Sequence, residues 1–358
     1  MNKALIEVYG CQMNAAEAER MAGELERIGY EPTDSRDDAD VIILHTCCVR
    51  ESAEEKIYGK LGELKGLKRQ RPNLILGISG CMAQKEAASL FKRAPHLDFV
   101  LGTGELTKLA DMVQLIADGH KRIAATTLTD EPPERAFPIR RGAVSAWIPI
   151  MYGCDNFCTY CIVPYVRGRE RSRSPKDIIA EAEAALAEGY GELTLLGQNV
   201  NSYGKGSGGV DFADLLAAVD KLDELKRLRF MTSHPKDTSD RLIKVMAEGE
   251  HIAPHIHLPA QHGSDSILKA MNRGYTAAHY LALVKKIRAA VPRVALTTDI
   301  IVGFPGETEE DFRQTLDLVR KARFDAAYTF LYSPRSGTRA ADFPNQVPEE
   351  VKNDGLPN

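Results

Sequence analysis

Over roughly the first 120 residues, short apolar runs alternate with longer stretches in which apolar positions recur every three or four residues. The apolar runs predict strands at 4–9, 41–45, 74–79 and 98–101, and the helical spacing predicts helices beginning near Ala15, Glu51, Ala83 and Leu106. Such alternation implies a parallel sheet. From Ser145 the pattern resumes. Strands are predicted at 146–152, 192–196, 228–231, 255–258, 295–302 and 326–332, with helices at 175–188, 211–221, 238–248, 276–290 and 308–322. Six βα repeats are fewer than the eight of a closed barrel. The predicted fold class is therefore α/β: an N-terminal parallel αβ domain over 1–123 and a partial (βα)6 barrel over 145–358. Residues 124–144 are rich in Thr, Pro and Arg, have little periodicity, and read as an interdomain linker.

The chain's 358 residues are enough for two such domains. A net charge of −4 carries no general nucleic-acid-binding signature. No stretch approaches the ~20 consecutive apolar residues of a membrane span. The N-terminus has no secretory apolar region, since Glu7 interrupts its first apolar run. Seven cysteines form an odd set for a disulfide scaffold of this size and fit metal ligation in a reducing compartment, so a cytoplasmic location is expected.

The most informative cysteines are Cys154, Cys158 and Cys161, spaced C-x3-C-x2-C after the first strand of the second half. Three thiolates on one short loop can hold three irons of a cubane iron–sulfur cluster and leave the fourth without a protein ligand. An open metal position is where chemistry takes place. A zinc knuckle would need a second ligand pair nearby, and 162–233 contains neither Cys nor His. Cys11, Cys47 and Cys81 each lie just past the C-terminal end of a predicted strand. Parallel neighbours end on one edge about 4.8 Å apart, and open α/β sheets bind ligands there. These three either meet as a second three-cysteine site or remain three separate buried thiols, depending on strand order. Cys48 reads as a packing residue.

The C-x3-C-x2-C spacing is that of the radical S-adenosylmethionine (SAM) enzymes, and further segments resemble one family within them, the methylthiotransferases. They are Tyr9-Gly-Cys-Gln-Met-Asn14, Thr46-Cys-Cys-Val-Arg-Glu51, Gly80-Cys-Met-Ala-Gln84, Gly153-Cys-Asp-Asn-Phe-Cys158 and Val163-Pro-Tyr-Val-Arg-Gly-Arg-Glu170. To these are added Leu196-Gly-Gln-Asn-Val-Asn-Ser-Tyr-Gly204, Thr232-Ser-His-Pro235, Met271-Asn-Arg-Gly-Tyr-Thr276 and Asp299-Ile-Ile-Val-Gly-Phe-Pro-Gly-Glu307. The first segment is most similar to the branch acting on N6-dimethylallyladenosine in tRNA. The resemblance implies a radical SAM barrel and two 4Fe-4S clusters, one on Cys154, Cys158 and Cys161 and an auxiliary one on Cys11, Cys47 and Cys81. It implies SAM as cofactor, tRNA as substrate, and reductant and sulfur-donor proteins as partners. The implied reaction places a methylthio group on carbon 2 of the prenylated adenosine beside the anticodon. Carbon 2 carries a C–H bond that acid–base catalysis cannot activate, so the cofactor carries the hard step and no catalytic residue beyond the cluster ligands is expected.

Tyr160 is expected along the SAM adenine, Gly197 and Gln198 at its amino and carboxyl groups, and Ile301 and Val302 flanking adenine. His234 and His257 are not read as ligands, because a lone His beside a strand is usually hydrogen-bonded or packed. Residues 134–173 hold seven arginines against three acidic residues, and Arg167, Arg169 and Arg171 are expected to contact phosphate. His45 and His262 depart from the family's usual Asn and Ser. The family ends in a small RNA-binding TRAM domain, which a chain stopping at Asn358 is expected to lack. The competing readings are methylthiolation of threonylcarbamoyl adenosine in tRNA or of a ribosomal-protein aspartate, and a non-catalytic iron–sulfur carrier.

Overall fold

The computed structural model describes residues 2–48, 51–130, 138–142, 144–206 and 209–355. Two units emerge: Met1–Ala143 with Ile162–Arg173, and Val144–Cys161 with Ser174–Asn358. The segment just after Cys161 thus belongs to the first unit, although sequence reasoning gave it to the barrel. The expected linker also begins too early. Ile123–Ala125 is a strand, while 131–137 and 143 lie outside the described residues.

The first unit is a six-stranded parallel sheet of β1 (Asn2–Tyr9), β2 (Tyr30–Pro32), β3 (Val41–Thr46), β4 (Ile75–Gly80), β5 (Phe99–Leu101) and β6 (Ile123–Ala125), in the order β2-β1-β3-β4-β5-β6. Every residue of β3 and β4 is buried, as expected of central parallel strands covered by helices on both faces. Ile42, Leu44, Leu76 and Ile78 pack under the helix Glu51–Gln70 with Ile57, Leu61 and Leu64. Val41, Ile43 and Ile75 face the opposite layer with Met21, Leu25, Leu109 and Val113. β2 and β6 are absent from the sequence reading.

In the second unit six strands alternate with helices. Ser145–Pro149, Glu192–Leu196 and Arg227–Phe230 form one parallel group; His255–His257, Ala295–Val302 and Ala326–Leu331 form another. A parallel bridge runs from Leu228 of the first group to Ile252, just before the first strand of the second group, in an open (βα)6 arrangement. Alternate positions of Ala295–Val302 are buried. Leu296, Ile300 and Val302 enter the core shared with the outer helices, while Thr297, Asp299 and Ile301 take the other face.

Gly80 ends β4 and sets the entry of Cys81 into the helix Cys81–Glu86. Its φ is +94°, and a Cβ there would lie 2.3 Å from the Thr46 carbonyl oxygen of the neighbouring strand. Gly80→Ala is expected to destabilise the first unit by about 1–3 kcal/mol. The check is the urea midpoint together with amide exchange in β3 and β4; an unchanged midpoint would contradict the close approach.

Candidate active site

Strand order places the three cysteines of the first unit on one edge, since β1, β3 and β4 are consecutive neighbours and Cys11, Cys47 and Cys81 follow them. Cys11 caps the helix Gln12–Glu26, and its Sγ donates to Asn14 Oδ1 at 3.2 Å. Asn14 Nδ2 in turn donates to the Thr46 carbonyl at 3.1 Å, tying the first cysteine loop to the second. The Cys47 amide donates to the Tyr9 carbonyl at 2.9 Å. The Cys47 thiol interacts with both Cys11 and Cys81 and is raised by them. Hydrogen bonding from Cys47, assisted by the Arg167 charge, lowers Cys11 to about 6. Cys81 is lowered well below the usual thiol range by Cys47 and Cys48. Cys48 is buried with Cys81, Ile162 and Val166.

Beside these thiols lies a network that sequence reasoning did not find. Glu17, fully buried on the first helix, accepts from Arg167 Nη1 at 2.5 Å and Nη2 at 3.0 Å, and pairs with His45 Nε2 at 3.1 Å. Burial opposes ionisation of Glu17, but Arg167 and His45 overcome it and hold its carboxyl below the ordinary range. Arg167 and Arg171 were expected to face phosphate, and the structure corrects this. Arg167 is 4% exposed and bound to Glu17. Arg171 is 9% exposed, with its guanidinium donating to the Thr129 and Arg167 carbonyls. Only Arg169 of the three is exposed.

In the second unit, the segment carrying Cys154, Cys158 and Cys161 follows the first barrel strand and is pinned by 270–273. The Thr159 amide donates to the Met271 carbonyl at 3.1 Å, and Thr159 Oγ1 donates to the Ala270 carbonyl at 2.8 Å. Asn272 Nδ2 donates to the carbonyls of Asn156 and Phe157 at 3.0 and 3.2 Å, which secures Phe157 at φ +45°. The Cys161 amide closes the turn onto the Cys158 carbonyl at 2.9 Å. Asn156 Nδ2 donates to Cys154 Sγ at 3.4 Å. Arg273 Nη1 donates to Cys158 Sγ at 3.2 Å.

Gln198 and His234 lie past the second and third barrel strands. Gln198 Oε1, Ser233 Oγ and His234 Nε2 are buried without a hydrogen-bond partner. His234 Nδ1 accepts from the Lys236 amide at 3.2 Å, so in the neutral ring Nε2 carries the proton and is a donor. Burial, with Arg273, Lys236 and Lys205 nearby, pushes His234 down to about 2 and keeps it neutral. Orphaned buried polar atoms of this kind call for a ligand with both donors and acceptors. Gly197 has a second structural reason: a Cβ there would lie 2.6 Å from Met151 Cγ. Tyr160 and Ile301 each pack against the cluster of Met271, Phe304 and Tyr332. Val302 does not join them. It lies on the opposite strand face, in the core shared with the outer helices. His257 Nδ1 lies 3.0 Å from Thr297 Oγ1. Among the described residues no group of three or more His, Cys, Asp or Glu forms a site for a metal ion.

A model of the radical SAM superfamily matches residues 148–319, and one of an uncharacterized family, UPF0004, matches 3–102. A tRNA-2-methylthio-N(6)-dimethylallyladenosine synthase of Carboxydothermus hydrogenoformans is 55% identical over 96% of this chain and 79% of its own length. The chain belongs to this family. A synthase of the same name from Desulforamulus reducens is 53% identical over 98% of this chain and 78% of that protein. A cobalamin-bound radical SAM methyltransferase, TsrM, of Kitasatospora setae is similar in fold, with a TM-score of 0.69 at 16% identity over 95% of this chain and 77% of that one. Membership makes the chain a radical SAM enzyme and a tRNA methylthiotransferase, with 4Fe-4S clusters and SAM as its cofactors. The chemistry around the cysteines suits such clusters: a buried guanidinium bonds Cys158, and another acts on Cys11 and Cys81.

Because the folded Glu17 carboxyl titrates below its unfolded value, its stabilisation is complete above the ordinary carboxylate range and is lost as pH falls toward the folded value. Glu17→Gln should flatten this acid limb in the first unit's urea midpoints between pH 7 and pH 4. Arg167→Gln leaves a buried carboxylate with His45 alone and should cost on the order of 3–5 kcal/mol at pH 7. Equal acid limbs in wild type and Glu17→Gln would remove Glu17 from the account.

Proposed function

We propose that this methylthiotransferase acts on N6-dimethylallyladenosine beside the tRNA anticodon, placing the methylthio group on carbon 2, and uses two clusters with separate roles. The observation that carries the reading is the pair of three-cysteine sets, each at the C-terminal edge of parallel strands and each with an arginine acting on its thiols. Cys154, Cys158 and Cys161 hold the cluster that binds SAM; Cys11, Cys47 and Cys81 hold the auxiliary cluster. When bound, the first cluster and SAM supply radical chemistry for a ring C–H bond beyond the reach of acid–base catalysis. The protein's task is to hold and orient. Gln198, Ser233 and His234 meet the polar groups of SAM with atoms that otherwise lack partners. Gly197 keeps the loop after the second strand close to the barrel. Tyr160 and Ile301 supply an apolar wall for adenine. Arg169, the exposed member of its series, reaches toward phosphate. We place the protein in the cytoplasm with its tRNA substrate, served by a reductant and a sulfur-donor protein. In this reading the first unit is the auxiliary-cluster domain and the second unit the radical SAM domain.

Mass spectrometry of tRNA nucleosides from cells with and without the protein tests the substrate. The methylthio dimethylallyl nucleoside should disappear without it. Loss of a methylthio threonylcarbamoyl nucleoside instead would replace the substrate assignment.

The anaerobically reconstituted chain should bind about eight irons. Replacing Cys154, Cys158 and Cys161 by Ala should remove about half. The Cys11, Cys47 and Cys81 triple variant should still cleave SAM reductively but form no methylthio product. Retention of all iron in either variant contradicts the ligand sets.

For RNA, Arg169→Gln should weaken tRNA binding and reduce the salt slope by about 1, whereas SAM cleavage without RNA stays unchanged. An unaltered slope removes Arg169 from the interface.

A further inference from the structure

Arg273 follows the short helix Asp265–Ala270 and is 5% exposed. Its guanidinium is held on every side. Nη1 donates to Cys158 Sγ at 3.2 Å and approaches Tyr160 Oη at 3.5 Å; Nε donates to Tyr275 Oη at 3.0 Å; Nη2 donates to the Pro259 carbonyl at 3.2 Å. Tyr275 Oη is itself fixed by donating to the Ala260 carbonyl at 2.8 Å. Among the described residues no carboxylate is a partner of Arg273; the groups that favour its charge are Tyr160, Tyr275 and Cys158. Arg167 shows how this fold neutralises a buried arginine for structural purposes, with a two-pronged bond to Glu17. Arg273 has the same burial and no such partner. A cation buried without an anion is strongly destabilising, so its site is built for negative charge brought from outside the amino-acid sequence.

We infer that Arg273 is the fixed counter-charge of the cluster on Cys154, Cys158 and Cys161, and that its bond to Cys158 Sγ raises that cluster's reduction potential. The inference rests on the proposed assignment of those cysteines as ligands. Reduction adds one negative charge to the cluster. A fixed cation with an N–H aimed at a ligand sulfur favours the more negative state over the less negative one. Arg273 is thus a positioning and tuning residue: its donors act on the ligand. The guanidinium's geometry is needed because one planar group bonds the sulfur, a phenol and a carbonyl at once, which an ammonium cannot copy.

The test uses the full chain with both clusters reconstituted and follows reduction by electron paramagnetic resonance against applied potential. The signal that changes on adding SAM identifies the cluster in question. Arg273→Gln should shift its reduction equilibrium about tenfold toward the oxidised form, which is about 59 mV lower for one electron. Arg273→Lys should fall between the two. Arg241→Gln removes an exposed cation paired with Asp211 and Asp214 and should leave the potential unchanged. A filled cluster with an unshifted potential in Arg273→Gln overturns the inference, and so does an equal shift in Arg241→Gln. Should Arg273→Gln fail to retain the cluster, Arg273→Lys decides alone: a wild-type potential overturns the proposal. If the wild-type chain shows no SAM-sensitive signal, the ligand assignment itself has failed, an outcome distinct from an unshifted potential.

Discussion

Parallel strand pairing is the constraint on which both halves of this molecule depend. Strands that run the same way and end at the same level deliver whatever follows them to one edge. In the first unit the ladder β1-β3-β4 converts a sequence separation of dozens of residues into three adjacent thiols. In the second, the same geometry gathers the cysteine segment and the 198 and 234 loops at the ends of successive barrel strands. Neither site requires its components to be near one another in the chain.

Thiolates gathered at a buried edge create an electrostatic problem, and the protein meets it with arginine. The two solutions differ. Arg167 is tied to Glu17, so the charge it presents to Cys11 and Cys81 is largely offset, and its main work is to join a helix at the start of the chain to the turn after Val163–Arg167. Arg273 is tied to neutral groups and a sulfur. A guanidinium with an internal carboxylate serves the fold first; one without serves whatever anion occupies the neighbouring space.

Much of this was legible in the sequence. The strands Glu192–Leu196 and Ala295–Val302 were readable to the residue, because Gly191 and Gly197 bound the first and Pro292 and Gly303 flank the second. The segment of Cys154, Cys158 and Cys161 was readable by spacing, whereas bringing Cys11, Cys47 and Cys81 to one edge depended on strand order. The charges were not. Arg167, Arg169 and Arg171 alternate like a solvated stripe, yet Gly168, at φ +76°, turns the backbone between them, and burial is decided by a carboxylate 150 residues away. Glu17 sits among other acidic residues of an ordinary helix with nothing local to mark it. His234 was set aside because isolated histidines usually find partners, and only the three-dimensional arrangement shows that one of its nitrogens does not. Val302 and Ile301 are neighbours whose opposite orientations follow from strand alternation alone.

The return of Ile162–Arg173 to the first unit has a bearing on how the protein is made. During synthesis β1 through β6 leave the ribosome well before Arg167 does. Until then Glu17 has no guanidinium to meet, and a fully buried carboxylate is an unfavourable thing to close a core around. The first unit's buried ion pair is therefore completed by a piece of chain that emerges only after the cysteine segment of the second unit. Order of translation thus makes Arg167 available to Glu17 only when Cys154, Cys158 and Cys161 already exist.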